Sequence, residues 1–165
     1  MKPKTYGILF TGLMVGSLVL AACGEKEASH DHSMHGKDNE QYEASASITE
    51  MPAFLAKYTD NTQATYALVS EVQEELKMLN CYCGCMDYEA AHDSLYRCFI
   101  SSTTSTEVTW TDHGAQCGIC LEEVKDAARL KAEGKSLEEI QKFIDDKYAP
   151  DGAPASSEVH PVIIE

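Results

Sequence analysis

Residues 81–120 read CYCGCMDYEAAHDSLYRCFISSTTSTEVTWTDHGAQCGIC and contain six of the seven cysteines of a 165-residue chain. Two histidines are interleaved with these cysteines. Thiolate and imidazole are ligands for zinc and for soft copper(I), and closely spaced dithiols also carry out thiol–disulfide chemistry. The candidate metal ligands are Cys81, Cys83, Cys85, His92, Cys98, His113, Cys117 and Cys120.

The spacing of the cysteines suits a cation at both ends of this stretch. In a turning segment, the Cys-x-Cys-x-Cys run at residues 81–85 lets several sulfurs approach one ion, and Gly84 allows backbone torsions that other residues disfavour. Cys117 and Cys120 are about one helical turn apart at a predicted helix N-terminus, where the helix dipole favours thiolates. We therefore predict a mixed Cys/His centre that binds copper or zinc.

The same cysteines allow two other functions. A disulfide framework is common outside the cytoplasm, but it leaves His92 and His113 unexplained and must avoid strained bridges within residues 81–85. A thiol–disulfide oxidoreductase would use Cys117 as the nucleophile and Cys120 as its partner. We see no set of residues that indicates hydrolysis, so we predict a binding protein rather than an enzyme, with these two functions as the alternatives.

The first 23 residues predict a bacterial lipoprotein. Residues 1–22 have two early lysines and an apolar run that is too short for a stable membrane span, as in a secretory signal peptide. The cleavage region Leu20-Ala21-Ala22-Cys23 resembles a lipobox, which places diacylglycerol on Cys23. We expect an extracytoplasmic protein that this lipid anchors to the cell membrane.

A polar segment follows the anchor, and we predict that residues 23–48 form a disordered tether. The segment has few large aliphatic side chains, so it buries too little surface to fold alone. It contains a short tract that could capture copper or zinc loosely, because its ligands must first be ordered. The members of this secondary site are His30, His32, Met34 and His35.

The charge of the chain excludes one class of partner. The chain has 27 acidic and 13 basic residues and a formal net charge of −14. Such a surface repels nucleic acid and attracts cations. We therefore expect metal ions and the membrane as partners; the sequence does not identify a protein partner.

The apolar pattern predicts an all-α domain over residues 49–149. Apolar residues recur at helical spacing through residues 49–79, with a cap near Thr59, and again over Asp87–Phe99. Residues 100–112 form a Ser/Thr-rich connection in which Glu107–Trp110 could be extended.

Two further helices complete the predicted domain. One begins at Cys117 and ends before Gly134, and Ser136–Glu139 is a capping box that opens the last helix, which contains Tyr148. We predict that residues 150–165 form a disordered tail.

The Cys/His pattern resembles the bacterial lipoproteins that are named for a PCYCGC motif. The resemblance covers about residues 50–149 and rests on the run 81–85 together with the later cysteines and histidines. Asn80 stands where the motif has proline. The family implies an extracytoplasmic anchored domain and no established reaction.

A weaker similarity begins at Cys117. The order Cys-x-x-Cys, helix, Glu-Gly-Lys-Ser, helix and Lys-Tyr resembles the dithiol hairpin of the cytochrome c maturation thiol oxidoreductases. Those proteins lack the cluster at residues 81–85. This resemblance implies a redox role.

Overall fold

The computed structural model describes residues 40–84 and 93–160, which belong to a unit that spans residues 31–165. Residues 1–22, which form the predicted signal peptide, lie outside the described residues. Residues 161–165, the last part of the predicted disordered tail, also lie outside them. So do several predicted site residues, namely Cys23, His30, His32, Met34, His35, Cys85 and His92. In chain order the elements are β1 (Tyr42–Ser45), a 3-10 helix (Ala53–Lys57), α1 (Asp60–Leu76), a 3-10 helix (Leu95–Cys98), β2 (Ile100–Thr103), β3 (Val108–Thr111), a 3-10 helix (Gly114–Gln116), α2 (Gly118–Ala132), α3 (Leu137–Tyr148) and α4 (Ser156–Val159).

The long helices confirm the predictions that rest on local signals. The side chain of Thr59 caps α1 by accepting a hydrogen bond from the backbone N–H of Thr62 at 3.2 Å. Ser136 and Glu139 form the predicted capping box at the start of α3. Gly134 follows α2 with a φ of +79°, a left-handed conformation that glycine adopts without strain. In the part of the chain that the structure describes, no helix has the length and apolar character of a membrane span.

The prediction of an all-α fold is wrong, because the domain contains a three-stranded antiparallel sheet in the order β1-β3-β2. Val108 and Trp110 are the buried, alternating residues of the central strand β3. Both neighbours of β3 have polar sequences, YEAS in β1 and ISST in β2. The extended piece expected at Glu107–Trp110 corresponds to β3. The outer strands β1 and β2 show too little alternation to be identified locally, and their pairing with β3 stabilises them.

Three predicted segments also differ from those in the structure. Residues 42–45, which composition assigned to the tether, form β1 and pair with β3. In its described part, the helix predicted over Asp87–Phe99 is replaced by the 3-10 helix Leu95–Cys98. Within the predicted tail, residues 156–159 form α4, and Ser156 is buried. In each case a tertiary contact overrides a weak local preference.

Aromatic packing connects α1 to the sheet and to the segment before α2. The ring of Tyr66 on α1 contacts the rings of Phe99 and Trp110, with centroids 5.0 and 5.8 Å away. The Tyr66 hydroxyl donates to the carbonyl of Thr111 at 2.8 Å and accepts from the N–H of Ala115 at 3.0 Å. These contacts hold the residues that follow Cys98 and precede Cys117 against one helix.

We expect Gly114→Ala to destabilise the fold by about 1 to 3 kcal/mol, because an added methyl group would overpack the core. A Cβ at Gly114 would lie 2.5 Å from Cε1 of Phe99, a fully buried ring with little room to move. Gly118→Ala is the matched control, since its Cβ would meet nothing within 4 Å. Urea unfolding measures both variants; equal midpoints would contradict the close Phe99–Gly114 contact.

Candidate metal centre

The turn after α1 carries the first two cysteines of the centre. Cys81 and Cys83 are each 2% exposed. Gly84 follows them with a φ of +86°, which confirms that a glycine conformation is used in this run. Asn80 donates its backbone N–H to Ser156 Oγ at 3.1 Å and its side-chain amide to the Pro154 carbonyl at 3.0 Å. Proline has no N–H, so asparagine supplies contacts here that the proline of the motif could not make.

The third cysteine comes from the short 3-10 helix that precedes the sheet. Cys98 is the last residue of this helix and is fully buried. The backbone N–H of Leu95 donates to the carbonyl of Leu79 at 2.8 Å, which ties the helix to the segment that leads into Cys81. A backbone bond between two separate segments therefore brings Cys98 towards the first pair.

The last two cysteines lie at the start of α2. Cys117 is the N-cap residue, and its sulfur accepts a hydrogen bond from the backbone N–H of Cys120 at 3.4 Å. Cys120 lies in the first turn and is fully buried. The N-terminal end of a helix carries partial positive charge, which favours thiolate over thiol.

Four of these sulfurs form one cluster. The Sγ atoms of Cys81, Cys83, Cys98 and Cys120 all lie within 4.8 Å of one another, and all four residues are buried. Sγ of Cys81 lies 3.2 Å from that of Cys83 and 3.3 Å from that of Cys120. A metal–sulfur distance of about 2.3 Å places tetrahedral sulfurs about 3.8 Å apart, a value that the observed separations bracket. The cluster can therefore surround one tetrahedral ion after small side-chain shifts.

The structure holds the five described cysteines as thiols. The two separations above exceed the S–S bond length of about 2.0 Å. Burial raises the pKa of Cys120 well above its ordinary value, because a thiolate is poorly solvated in this environment. The hydrogen bond with Cys120 lowers the pKa of Cys117, but contact with Cys83 and burial outweigh it and raise the pKa to about 12. A metal cation supplies the charge that such thiolates need, so metal binding displaces protons from them.

A shell of polar contacts, which the sequence analysis missed, holds the Cys81–Cys83 turn. The buried carboxylate of Glu123 accepts the backbone N–H of Tyr82 at 3.0 Å. Asp145 accepts the Tyr82 hydroxyl at 2.6 Å and the Ser156 hydroxyl at 2.6 Å. Burial and the bond to Asp145 raise the pKa of Tyr82 to about 12, so its hydroxyl remains protonated and donates.

Only one of these polar residues had a usable signal in the sequence. Glu123 lies three residues after Cys120, next to the buried Val124, so it places a carboxylate on the apolar face of α2. Asp145 and Ser156 occur in polar stretches that have no distinguishing pattern. Their roles depend on the docking of the C-terminal segment beside Tyr82.

We expect Asp145→Ala to lower the metal affinity of the centre by about tenfold or more, the usual scale for residues that orient metal ligands. The substitution removes the closer acceptor of the Tyr82 hydroxyl, at 2.6 Å, and leaves the Pro154 carbonyl at 3.3 Å. It also removes the acceptor of the Ser156 backbone N–H at 2.9 Å. Tyr82 lies between two candidate ligands in the sequence, so its position affects both. The control is Asp146→Ala, because Asp146 is 65% exposed and pairs with Lys142 on the surface. Competitive metal titration measures both; equal affinities would show that the Asp145 contacts do not orient the ligands.

The structure does not bring every predicted ligand into this centre. Among the described residues, His113 is not in the group of four cysteines; its Nδ1 lies 2.7 Å from Oε1 of Glu40. The side chains of this pair are 2% and 7% exposed. Cys117 also lies outside the group of four, although its sulfur accepts the backbone N–H of Cys120 at 3.4 Å. The predicted metal roles of His113, Cys85 and His92 stay predictions.

Comparison with known proteins identifies one family. A family model described as "Protein of unknown function with PCYCGC motif" matches residues 13–160. No curated protein and no solved structure matches the chain. The weaker similarity to the cytochrome c maturation oxidoreductases stays a prediction.

Proposed function

The chain belongs to the family of proteins with a PCYCGC motif, and from its sulfur cluster we propose that it binds a soft metal ion, copper(I) or zinc, outside the cytoplasm. The proposed metal ligands are the four clustered cysteines, Cys81, Cys83, Cys98 and Cys120. The protein acts as a binding module rather than an enzyme. It is anchored to the cell membrane through a lipid on Cys23.

The convergence of four buried sulfurs carries this proposal. They come from three separate segments, namely the turn after α1, the 3-10 helix Leu95–Cys98 and the first turn of α2. Cysteine also packs as a small apolar residue, but apolar packing does not require four sulfurs to lie together. A site that binds a soft cation does require it, because thiolates are the preferred ligands of copper(I) and zinc.

The anchoring rests on the N-terminal sequence. The small residues before Cys23 supply the lipobox, and the run from Gly7 to Leu20 supplies the apolar part of a signal peptide. The net charge of −14 favours the capture of cations from the surroundings. The tract His30–His35 would hold copper or zinc weakly near the anchored domain.

The same geometry supports binding more than redox catalysis. An attacking thiol in a thiol–disulfide oxidoreductase is accessible and has a lowered pKa. Cys117 is 5% exposed, and contact with Cys83 and burial raise its pKa to about 12 despite the opposing effect of Cys120. This thiol lacks both properties of an attacking group.

The test is the response of the full chain to metal, chelator and reductant. Under reducing conditions, copper(I) or zinc at a thousandfold excess over Kd should stabilise the fold by about 4 kcal/mol, and a chelator should reverse this. Disulfide bridges predict the opposite: the chelator has no effect, while reductant costs about 2 to 5 kcal/mol. A count of free thiols on an untreated sample distinguishes metal binding from disulfide bridges. A chain that binds neither metal would overturn the proposed function.

The anchor is tested separately by fatty-acid labelling in bacterial cells. The unmodified chain should incorporate label and fractionate with membranes, whereas Cys23→Ala should remain an unlabelled, longer precursor. The absence of label on the unmodified chain would refute lipidation and leave the metal proposal untouched.

A further inference from the structure

All four sulfurs of the centre are buried, so a metal ion needs a path to reach them. Cys81 and Cys83 are each 2% exposed, and Cys98 and Cys120 are fully buried. An ion surrounded by such ligands can enter or leave only when part of the protein moves. The part that moves should control the position of the ligands and should be held by few buried apolar contacts.

Residues 150–160, here called the C-terminal strap, follow α3 and return to the turn that carries the first two cysteines. The Pro154 carbonyl accepts the side-chain amide of Asn80 at 3.0 Å and the Tyr82 hydroxyl at 3.3 Å. The hydroxyl of Ser156 accepts the backbone N–H of Asn80 at 3.1 Å. The strap therefore contacts the residue before the first ligand and the residue between the first two ligands.

Polar contacts rather than apolar packing hold the strap in place. Of the strap residues, all of which the structure describes, Ser156 alone is buried. Its hydroxyl and its backbone N–H donate to the carboxylate of Asp145 at 2.6 and 2.9 Å. At the other end, the His160 carbonyl accepts the side-chain amide of Gln141 at 3.2 Å, and the neighbouring Val159 is 41% exposed. A segment with so little buried apolar surface opens at a lower free energy than the core of the domain.

We propose that the C-terminal strap opens to let the metal ion enter and leave, and that the contact between Ser156 and Asn80 holds it closed. This inference rests on the proposed function, because it concerns the same four ligands. Opening removes the contacts of Pro154 and Ser156 with the turn after α1. The turn is then held by fewer hydrogen bonds, so its two sulfurs can separate from those of Cys98 and Cys120.

This role predicts faster exchange of metal without a change in affinity. The strap contacts groups that are not ligands, so we expect its hydrogen bonds to form with and without an ion. A variant whose strap opens more often then raises the rates of binding and release by the same factor and leaves Kd unchanged. A residue that orients the ligands, as expected for Asp145, instead changes Kd.

The test compares the rates of metal exchange with the affinity. The full chain in a Cys23→Ala background is loaded with zinc under reducing conditions, or with copper(I) if it does not bind zinc. Stopped-flow mixing with an excess of a competing chelator gives the rate of release. Mixing the metal-free chain with the ion gives the rate of binding, and competitive titration gives Kd.

Ser156→Ala is the first variant. It removes the acceptor of the Asn80 N–H and one donor to Asp145, but it leaves the bond between Asp145 and Tyr82. The loss of two hydrogen bonds should raise both rates about tenfold and leave Kd unchanged. Ser157→Ala is the matched control, because Ser157 is the next residue of α4 and is exposed.

Asn80→Pro is the second variant, and the family motif suggests it. The motif has proline at this position, so the turn should accept the substitution. Proline has neither the N–H nor the side-chain amide through which Asn80 contacts the strap. The variant should therefore exchange metal faster in the same way as Ser156→Ala.

Hydrogen exchange tests the opening of the strap without any metal. In the unmodified chain, the amides of residues 150–160 should exchange faster than those of α1, because the strap opens without global unfolding. In Ser156→Ala they should exchange about tenfold faster again. Strap amides that exchange no faster than those of α1 would overturn the inference.

Two results with metal would also overturn it. One is unchanged exchange rates in both variants, and the other is a Kd that rises as much as the rate of release. Metal still binds in either case, so the proposed function would stand. An unmodified chain that binds neither zinc nor copper(I) would instead overturn the proposed function.

Discussion

Replacing Cys120 with serine should remove most of the stabilisation that metal gives to this fold. Cys120 is fully buried, and its sulfur lies 3.3 Å from that of Cys81 and within 4.8 Å of the other two sulfurs of the group of four. Structural zinc sites bind with about 10 to 16 kcal/mol, so losing one ligand should lower affinity by about a hundredfold or more. At a metal concentration that raises the free energy of unfolding of the unmodified chain by about 4 kcal/mol, the variant should gain about 1.4 kcal/mol or less.

The quantity to compare is the gain in unfolding free energy on adding metal, measured by denaturant titration under reducing conditions. This difference removes the separate cost of burying a serine hydroxyl, and Cys120→Ala provides a second variant without that group. Glu122→Ala is the control, because its side chain lies on the same helix and is 56% exposed. If both Cys120 variants gain as much as the control, the sulfur cluster is not the metal site.

Replacing His113 with alanine should cost about 1 to 3 kcal/mol of folding stability, the usual effect of removing one partner of a buried hydrogen bond. Its Nδ1 lies 2.7 Å from the Glu40 carboxylate, and both side chains are almost fully buried. The variant leaves this carboxylate without its histidine partner in a poorly solvated site. The pair also ties the residues before β1 to the start of the 3-10 helix Gly114–Gln116.

The matched comparison is an exposed pair on α3. Lys142 and Asp146 are separated by 2.8 Å, but their side chains are 74% and 65% exposed. Lys142→Ala should therefore cost about 0.5 kcal/mol or less. A double-mutant cycle with Glu40→Ala isolates the coupling energy of the buried pair. Coupling no larger than that of the surface pair would contradict the buried interaction.

The same variant separates two roles of His113. If the pair with Glu40 is structural, His113→Ala should bind as many metal ions as the unmodified chain once folded. The loss of an ion would favour the sequence-based prediction that His113 is a ligand. Metal titration at low denaturant, with the folded fraction measured in parallel, distinguishes these outcomes.

Local sequence signals were sufficient for the three long helices, α1, α2 and α3. Thr59 caps α1, and Ser136 with Glu139 opens α3, because these side chains satisfy N–H groups only a few residues away. Gly134 marks the end of α2 for a similarly local reason, its positive φ. The sheet was missed because β1 is a short polar strand that pairs with β3 far along the chain. No pattern within β1 itself reports that pairing.

The sequence by itself determined the chemistry of the centre, since closely spaced cysteines in residues 81–120 provide soft ligands wherever the fold places them. Only the tertiary structure decided which of them meet. It brings Cys98 to Cys81 through the backbone bond between Leu95 and Leu79, and it directs His113 to Glu40. The physical reason is range: ligand type is a property of one side chain, whereas a shared site depends on long-range packing that orders separate segments together.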